Sequence, residues 1–163
     1  MTTDEIIEHY HRITDKLIAK RLTVTTMESC TGGLIGVLLS DREGASAVIP
    51  GGYFTYSNER KIECGVPAEI IDTYGVYSEQ TAVAMAKACR ENLDCDFGIG
   101  ITGSIGTVDP NNPDSVPGKV HYAVSYPSGS AHRELNLPED ASRQEARWII
   151  AVAVADMLES LID

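Results

Sequence analysis

Apolar positions recur along this chain with two different periods, and the switches between them mark its elements. Thr2 and Glu5 have the spacing of a capping box, and Ile6, Tyr10, Ile13 and Leu17 follow at helical spacing, which predicts an amphipathic first helix. Leu22 to Met27 is short and β-branched, as expected of a buried strand. A polar turn from Glu28 to Gly33 follows, and Leu34 to Leu39 resumes an apolar helix. Asp41 to Ala45 reads as a loop, and Gly51 to Tyr56 as a second strand with a glycine start. Ser57 to Cys64 is predicted as a short polar helix stopped by Gly65 and Pro67, and Pro67 to Tyr74 as another that ends at Gly75.

Ser78 then caps a helix with Ala82, Met85, Ala86 and Cys89 on one face. Phe97, Ile99 and Ile101 alternate with small residues in a strand that runs into Thr102-Gly103. Ser104 to Pro117, rich in Pro, Asn, Asp and Ser, reads as a surface loop. Val120 to Tyr126 and His132 to Leu137 flank Pro127-Ser128-Gly129-Ser130 as a β-hairpin, and Ala141 to Leu161 closes the chain as a long helix. Interleaved strands and helices of this kind imply an α/β fold: a mixed, partly parallel sheet with helices on both faces. Ligands in such folds sit beyond the carboxyl ends of the strands. If the strands ending at Glu28-Ser29 and Thr102-Gly103 run parallel, both turns face one crevice.

Length and composition add limits to this picture. A chain of 163 residues with 43% hydrophobic composition fits a single domain over 1–163. No apolar run is long enough to span a bilayer, and the acidic start Met1-Thr2-Thr3-Asp4-Glu5 does not resemble a secretory signal. The cysteines, Cys30, Cys64, Cys89 and Cys95, lack CxxC spacing and read as reduced thiols in a cytoplasm. A net charge of −11 argues against nucleic acid or an anionic membrane as partner. An anionic substrate would need a local device to hold it against that field.

The turn from Ser29 to Gly33 offers such a device, since free backbone N–H groups at a helix N-terminus favour a phosphate or an oxyanion. Ser29 or Thr31 could equally be an ordinary cap. Cys30 is a rival nucleophile, but neighbours on a turn point in different directions, and a small thiol is the better candidate for inward packing. A serine nucleophile needs a base. His9 and His11 fall on opposite, solvated faces of the first helix, while His121 and His132 suit a cross-strand or surface role on the hairpin. No metal-ligand spacing appears, and no cofactor is implied. Tyr56 and Lys61 are the alternative bases, although spacing alone makes Lys61 a solvated helix residue. Arg143 and Arg147, four apart, could clamp a phosphate or simply pair with Glu139 or Glu145 at the surface.

The motifs also occur in a recognisable order. Glu28-Ser29-Cys30-Thr31-Gly32-Gly33, Gly44-Ala45-Ser46, Gly51-Gly52 and Thr55-Tyr56-Ser57-Asn58-Glu59 with Lys61 come first. Gly65-Val66, Tyr74 to Glu79, Ala84-Met85-Ala86, Thr102-Gly103 and Arg143-x-x-x-Arg147 follow. From about Thr23 onward the set closely resembles the C-terminal domain family of the competence- and damage-inducible protein CinA, whose active members are nicotinamide mononucleotide amidases. The resemblance implies a three-layer α/β/α sandwich, hydrolysis of the nicotinamide carboxamide with release of ammonia, and a homodimer. It marks Ser29 as nucleophile with Tyr56 and Lys61 as activating partners. Thr31, Gly32, Gly33, Asn58, Thr102, Gly103 and Arg143 are then expected to contact the pyridine nucleotide, with the oxyanion near Gly32-Gly33 or Gly103-Ser104. The chain is too short to include the additional N-terminal domain of larger members. It departs from the family's glycine-rich pattern between Ser104 and Lys119, which keeps open an alternative: a non-catalytic nucleotide-binding or regulatory module of the same fold.

Overall fold

The computed structural model describes residues 1–163 and builds the α/β sandwich from the expected segments. Thr2 caps α1 (Thr3–Lys20), its hydroxyl accepting from the Glu5 N–H while the Glu5 carboxylate accepts from the Thr2 N–H. β1 (Val24–Glu28) leads through the Ser29–Gly33 turn into α2 (Leu34–Ser40). β2 (Tyr53–Phe54), α3 (Asn58–Glu63), α4 (Ala68–Tyr74) and α5 (Glu79–Asn92) follow. β3 (Phe97–Gly103), β4 (Lys119–Tyr126), β5 (Gly129–Asn136) and α6 (Arg143–Ile162) complete the chain. The sheet order is β2-β1-β3-β4-β5, with β2, β1 and β3 parallel and β3, β4 and β5 antiparallel. No helix is long and apolar enough to cross a membrane.

Side-chain alternation along β3 sets the two helical layers at different distances. Phe97, Ile99 and Ile101 enter the larger core, shared with α1, α2 and α6. Gly98 and Gly100, between them, face α5: a Cβ on Gly98 would lie 2.1 Å from the Ala86 carbonyl oxygen, and one on Gly100 would lie 2.2 Å from that of Ala82. Ala123 of β4 packs against Ala82 and Ala86 in the same patch. The small residues of β3 therefore seat α5 directly on the sheet backbone, which brings both layers into register over the carboxyl ends of β1 and β3.

Three expectations are corrected. β2 has two residues rather than six, because the Gly51 carbonyl accepts from the Thr25 hydroxyl instead of joining the ladder, and Gly52 is packed against Thr26. The hairpin turn is only Pro127-Ser128, since Gly129 pairs with Tyr126 and Ser130 with Ser125. His9 is buried rather than solvated: its Nε2 lies 2.6 Å from the Glu159 carboxylate, which also accepts from Lys16, so the network ties α1 to α6. His121 and His132 are a cross-strand pair, as expected, with Nδ1 and Nε2 3.0 Å apart.

Gly100→Ala is expected to destabilise the fold by about 2–3 kcal/mol, because the added methyl forces α5 off the sheet. Urea denaturation of the variant against wild type measures this, and an unchanged midpoint would contradict the close-packing account.

Candidate active site

The site begins with a buried acid. Glu28 ends β1 at 1% exposure, with one oxygen accepting from the Thr31 hydroxyl (2.6 Å) and the Ile35 N–H (2.9 Å). Its other oxygen accepts from the Gly36 N–H (2.9 Å) and the Thr26 hydroxyl (3.3 Å). Glu28 thus supplies acceptors for orphan N–H groups of the first turn of α2, a role that no side chain at its N-cap, Gly33, can fill. Gly32 and Gly33 hold positive φ (64° and 98°), where a side chain is strained. Arg147 completes the brace from α6, its Nε donating to the Cys30 carbonyl (3.0 Å) while its guanidinium covers Gly32.

This brace decides which way the neighbouring side chains point. Glu28 and Cys30 face α2 and α6, and the Cys30 thiol is packed into the larger core, where burial pushes its pKa up to about 12. Burial disfavours the thiolate, which weighs against Cys30 as a nucleophile although it borders the same cleft as Ser29. Ser29, between them, points the other way, and its Oγ accepts from the Lys61 ammonium nitrogen at 3.2 Å.

Lys61 is therefore not a solvated helix residue. The Ser57 hydroxyl caps α3 by accepting from the Arg60 N–H, and the helix leaves Ile62 exposed while turning Lys61 inward to 1% exposure. Besides Ser29, the Lys61 Nζ donates to the Thr55 carbonyl (2.7 Å), and it forms no ion pair with a carboxylate. Desolvation lowers its pKa from 10.5 to about 8. A serine hydroxyl thus meets an amine that is readily deprotonated.

The cleft in front of Ser29 measures about 280 Å³ and is lined by Tyr56, Tyr77, Asp109, Arg143 and the backbone around Gly103. A larger concavity of about 760 Å³, beside Trp148 on α6, contains neither Ser29 nor Lys61. Tyr56 does not bridge Ser29 and Lys61. It is more than half exposed, and its hydroxyl accepts from Arg143 Nη2 (2.7 Å) across the cleft. Arg143 also donates to the Ile105 carbonyl (3.1 Å), so neither it nor Arg147 pairs with Glu139 or Glu145.

Other expected contacts are spent inside the protein. The Thr31 hydroxyl serves Glu28, and the Thr102 hydroxyl donates to the Val76 carbonyl (2.8 Å) on the α5 side of the sheet. Asn58 donates to Asn112 (2.9 Å), tying α3 to the 104–118 loop. The Gly32 N–H donates to the Ser29 carbonyl and the Ser104 N–H to that of Lys119, leaving the N–H groups of Thr31 and Gly33 without a protein partner.

Sequence reasoning placed Tyr77 in a motif and Asp109 in the divergent loop but gave neither a role in the cleft that both line. Asp109 lies in the divergent loop, where its carboxylate accepts from the Tyr77 hydroxyl (2.6 Å), the Asn112 amide (2.8 Å) and the Asn111 N–H (2.9 Å). Those donors, Asn112 foremost, hold its pKa below the usual carboxylate value. Nothing in the local sequence distinguishes it from any other loop aspartate. Glu28 was visible as part of a motif, but its capping role requires the fold.

The family model described as the CinA C-terminal domain matches residues 7–162. A putative competence-damage inducible protein of Acetivibrio thermocellus is 38% identical over 162 residues, covering 99% of this chain and 38% of that protein. A CinA-like protein of Leptospira biflexa is 36% identical over 138 residues, covering 83% of this chain and 32% of its own length. The chain spans about a third of the length of these curated relatives. Among solved structures, the competence/damage inducible protein CihA of Agrobacterium tumefaciens superposes with a TM-score of 0.87 at 33% identity, covering 97% of this chain and 96% of that one. A CinA superfamily protein of Escherichia coli gives 0.84 at 26% identity, covering 99% and 91%.

Replacing Glu28 by Gln swaps one acceptor oxygen for an amide that faces donors. The expected cost is about 2–3 kcal/mol, larger than for a surface carboxylate. Urea midpoints of Glu28→Gln and of a surface control such as Glu69→Gln check this, and equal midpoints would dismiss the brace.

Proposed function

The chain belongs to the CinA C-terminal domain family, and from that premise we propose that it is a serine amidohydrolase acting on nicotinamide mononucleotide. The observation that carries this reading is the buried contact between Lys61 and Ser29, a nucleophile beside a base whose pKa falls near the working range. Neutral Lys61 takes the Ser29 proton as the oxygen attacks the carboxamide carbon. The tetrahedral oxyanion turns toward the helix-end N–H groups, of which Thr31 and Gly33 are unengaged. Collapse breaks the C–N bond, and the Lys61 ammonium returns its proton to the departing ammonia. Water, deprotonated by Lys61, then hydrolyses the Ser29 ester and releases nicotinate mononucleotide.

Arg143 supports the nucleotide part of the proposal. It reaches the cleft without a carboxylate partner and offers its guanidinium to a phosphate, a local cation in a chain of net charge −11. Tyr56 then belongs to the substrate wall and positions Arg143, rather than relaying the serine proton.

Incubation with nicotinamide mononucleotide, assayed for ammonia and nicotinate mononucleotide, is the direct test. Turnover is expected from wild type, none from Ser29→Ala, and a loss of roughly 10²–10⁴ from Lys61→Arg, which cannot shed its proton. Saturable binding without turnover by wild type would favour the non-catalytic module instead.

The pH profile follows from the same geometry. Lys61 must be neutral to act as base, so kcat/KM is expected to rise with pH and level off above a pKa of about 8. A flat profile between pH 6 and 9 would rule out Lys61 as the base.

A further inference from the structure

Beside the Lys61 amine, the cleft carries two charges of opposite sign that form no ion pair. Arg143 engages only neutral acceptors, the Tyr56 hydroxyl and the Ile105 carbonyl. Asp109 engages only neutral donors, from Tyr77, Asn112 and Asn111, and forms no ion pair. A cleft built this way is complementary to a zwitterion, with the anionic end at Arg143 and a cationic group near Asp109.

The bonds Asp109 already makes narrow what it can recognise. Oδ2 accepts from Tyr77 and Asn112, and Oδ1 from the Asn111 N–H. About one lone-pair site remains, too few for both hydroxyls of a ribose diol, so the carboxylate acts on a ligand mainly through its charge. Asp109 lines the same cleft of about 280 Å³ as Ser29, which places that charge in the space open to the ligand. The rigid frame counts too: Asn58 holds Asn112, and the Ser115 hydroxyl accepts from the Asp109 N–H (2.8 Å).

We propose that Asp109 is a specificity-determining residue that reads the charge of the ring bearing the carboxamide, favouring a cationic pyridinium over the neutral dihydropyridine of the reduced nucleotide. The inference rests on the reading of this cleft as a pyridine-nucleotide amidase and adds a selection between redox states of its substrate. A cation close to a partly desolvated carboxylate gains far more than in bulk water, whereas the neutral ring gains nothing from the charge.

The test compares nicotinamide mononucleotide with its reduced form on wild type, Asp109→Asn and Asp109→Glu. Wild type is expected to prefer the oxidised nucleotide by about tenfold or more in kcat/KM. Asp109→Asn is expected to remove most of that preference by raising KM for the oxidised nucleotide alone, and Asp109→Glu to retain it. An equal loss on both nucleotides would make Asp109 a ribose or loop contact and overturn the proposal, as would a wild type without preference. If wild type hydrolyses neither nucleotide, the amidase reading fails separately. Titration calorimetry of both nucleotides with wild type and Asp109→Asn then decides: a charge preference in Kd that Asn abolishes sustains the role of Asp109, whereas equal affinities, or no binding, refute it.

Discussion

The Glu28 carboxyl, buried where β1 gives way to α2, is the constraint on which the site depends. Its two oxygens receive two hydroxyls and two backbone N–H groups, joining the strand end, the turn and the first helical turn into one rigid piece. A buried acid without such donors would cost several kcal/mol, so the turn has one acceptable conformation rather than several. The turn does the rest. Beyond Glu28, Ser29 meets Lys61 of α3, while the Cys30 thiol packs against the larger core. Which of two adjacent candidate nucleophiles meets Lys61 is thus constrained by a residue that is neither of them.

The second constraint is a cation where the fold alone would favour an apolar group. α3 is inverted at its centre, with Lys61 inward and Ile62 partly in solvent. Burying an ammonium without a carboxylate is expensive, and the pKa of about 8 expresses that cost. The same segment carries the one buried side-chain oxygen that lacks a partner, Thr55 Oγ1, on the residue whose carbonyl receives Lys61. Two local departures from a comfortable interior meet beside one serine, and strain of this kind gathers where chemistry is done.

The periodic elements were legible because their reasons are local. Thr2 with Glu5 and Ser78 cap the helices they were expected to cap, and the alternation of β3 was visible as large and small residues. Ser29 and Arg143 could be singled out from ordered motifs. Asp109 could not, because its significance comes from Tyr77 and Asn112, which only the folded loop brings to it. Tyr56 and Lys61 were legible as a pair but not in their division of labour, since their side chains diverge at the start of α3. The hydroxyls of Thr31 and Thr102 are a related case: at the rim of a crevice they look available until the buried acceptors behind them, Glu28 and Val76, are known. His9 misled in the same way, since its partner, Glu159, is remote in sequence.

These features place cations within the cleft of an acidic chain that has no basic face. The negative charges are spread over the surface, while the cleft isolates one guanidinium and one lowered-pKa amine against a single carboxylate held by neutral donors. Surface charge acts at a distance and is screened by salt within about a nanometre, whereas charges inside a narrow cleft act at contact distance and are screened far less. Recognition can therefore depend on how charge is separated within the cleft rather than on the sign of the whole molecule. The 104–118 loop contributes a wall pinned through Asn58, Tyr77 and Ser115, and its Asp109 lines the same cleft as the guanidinium that α6 supplies. A placed charge is what selection between ligands of similar shape requires.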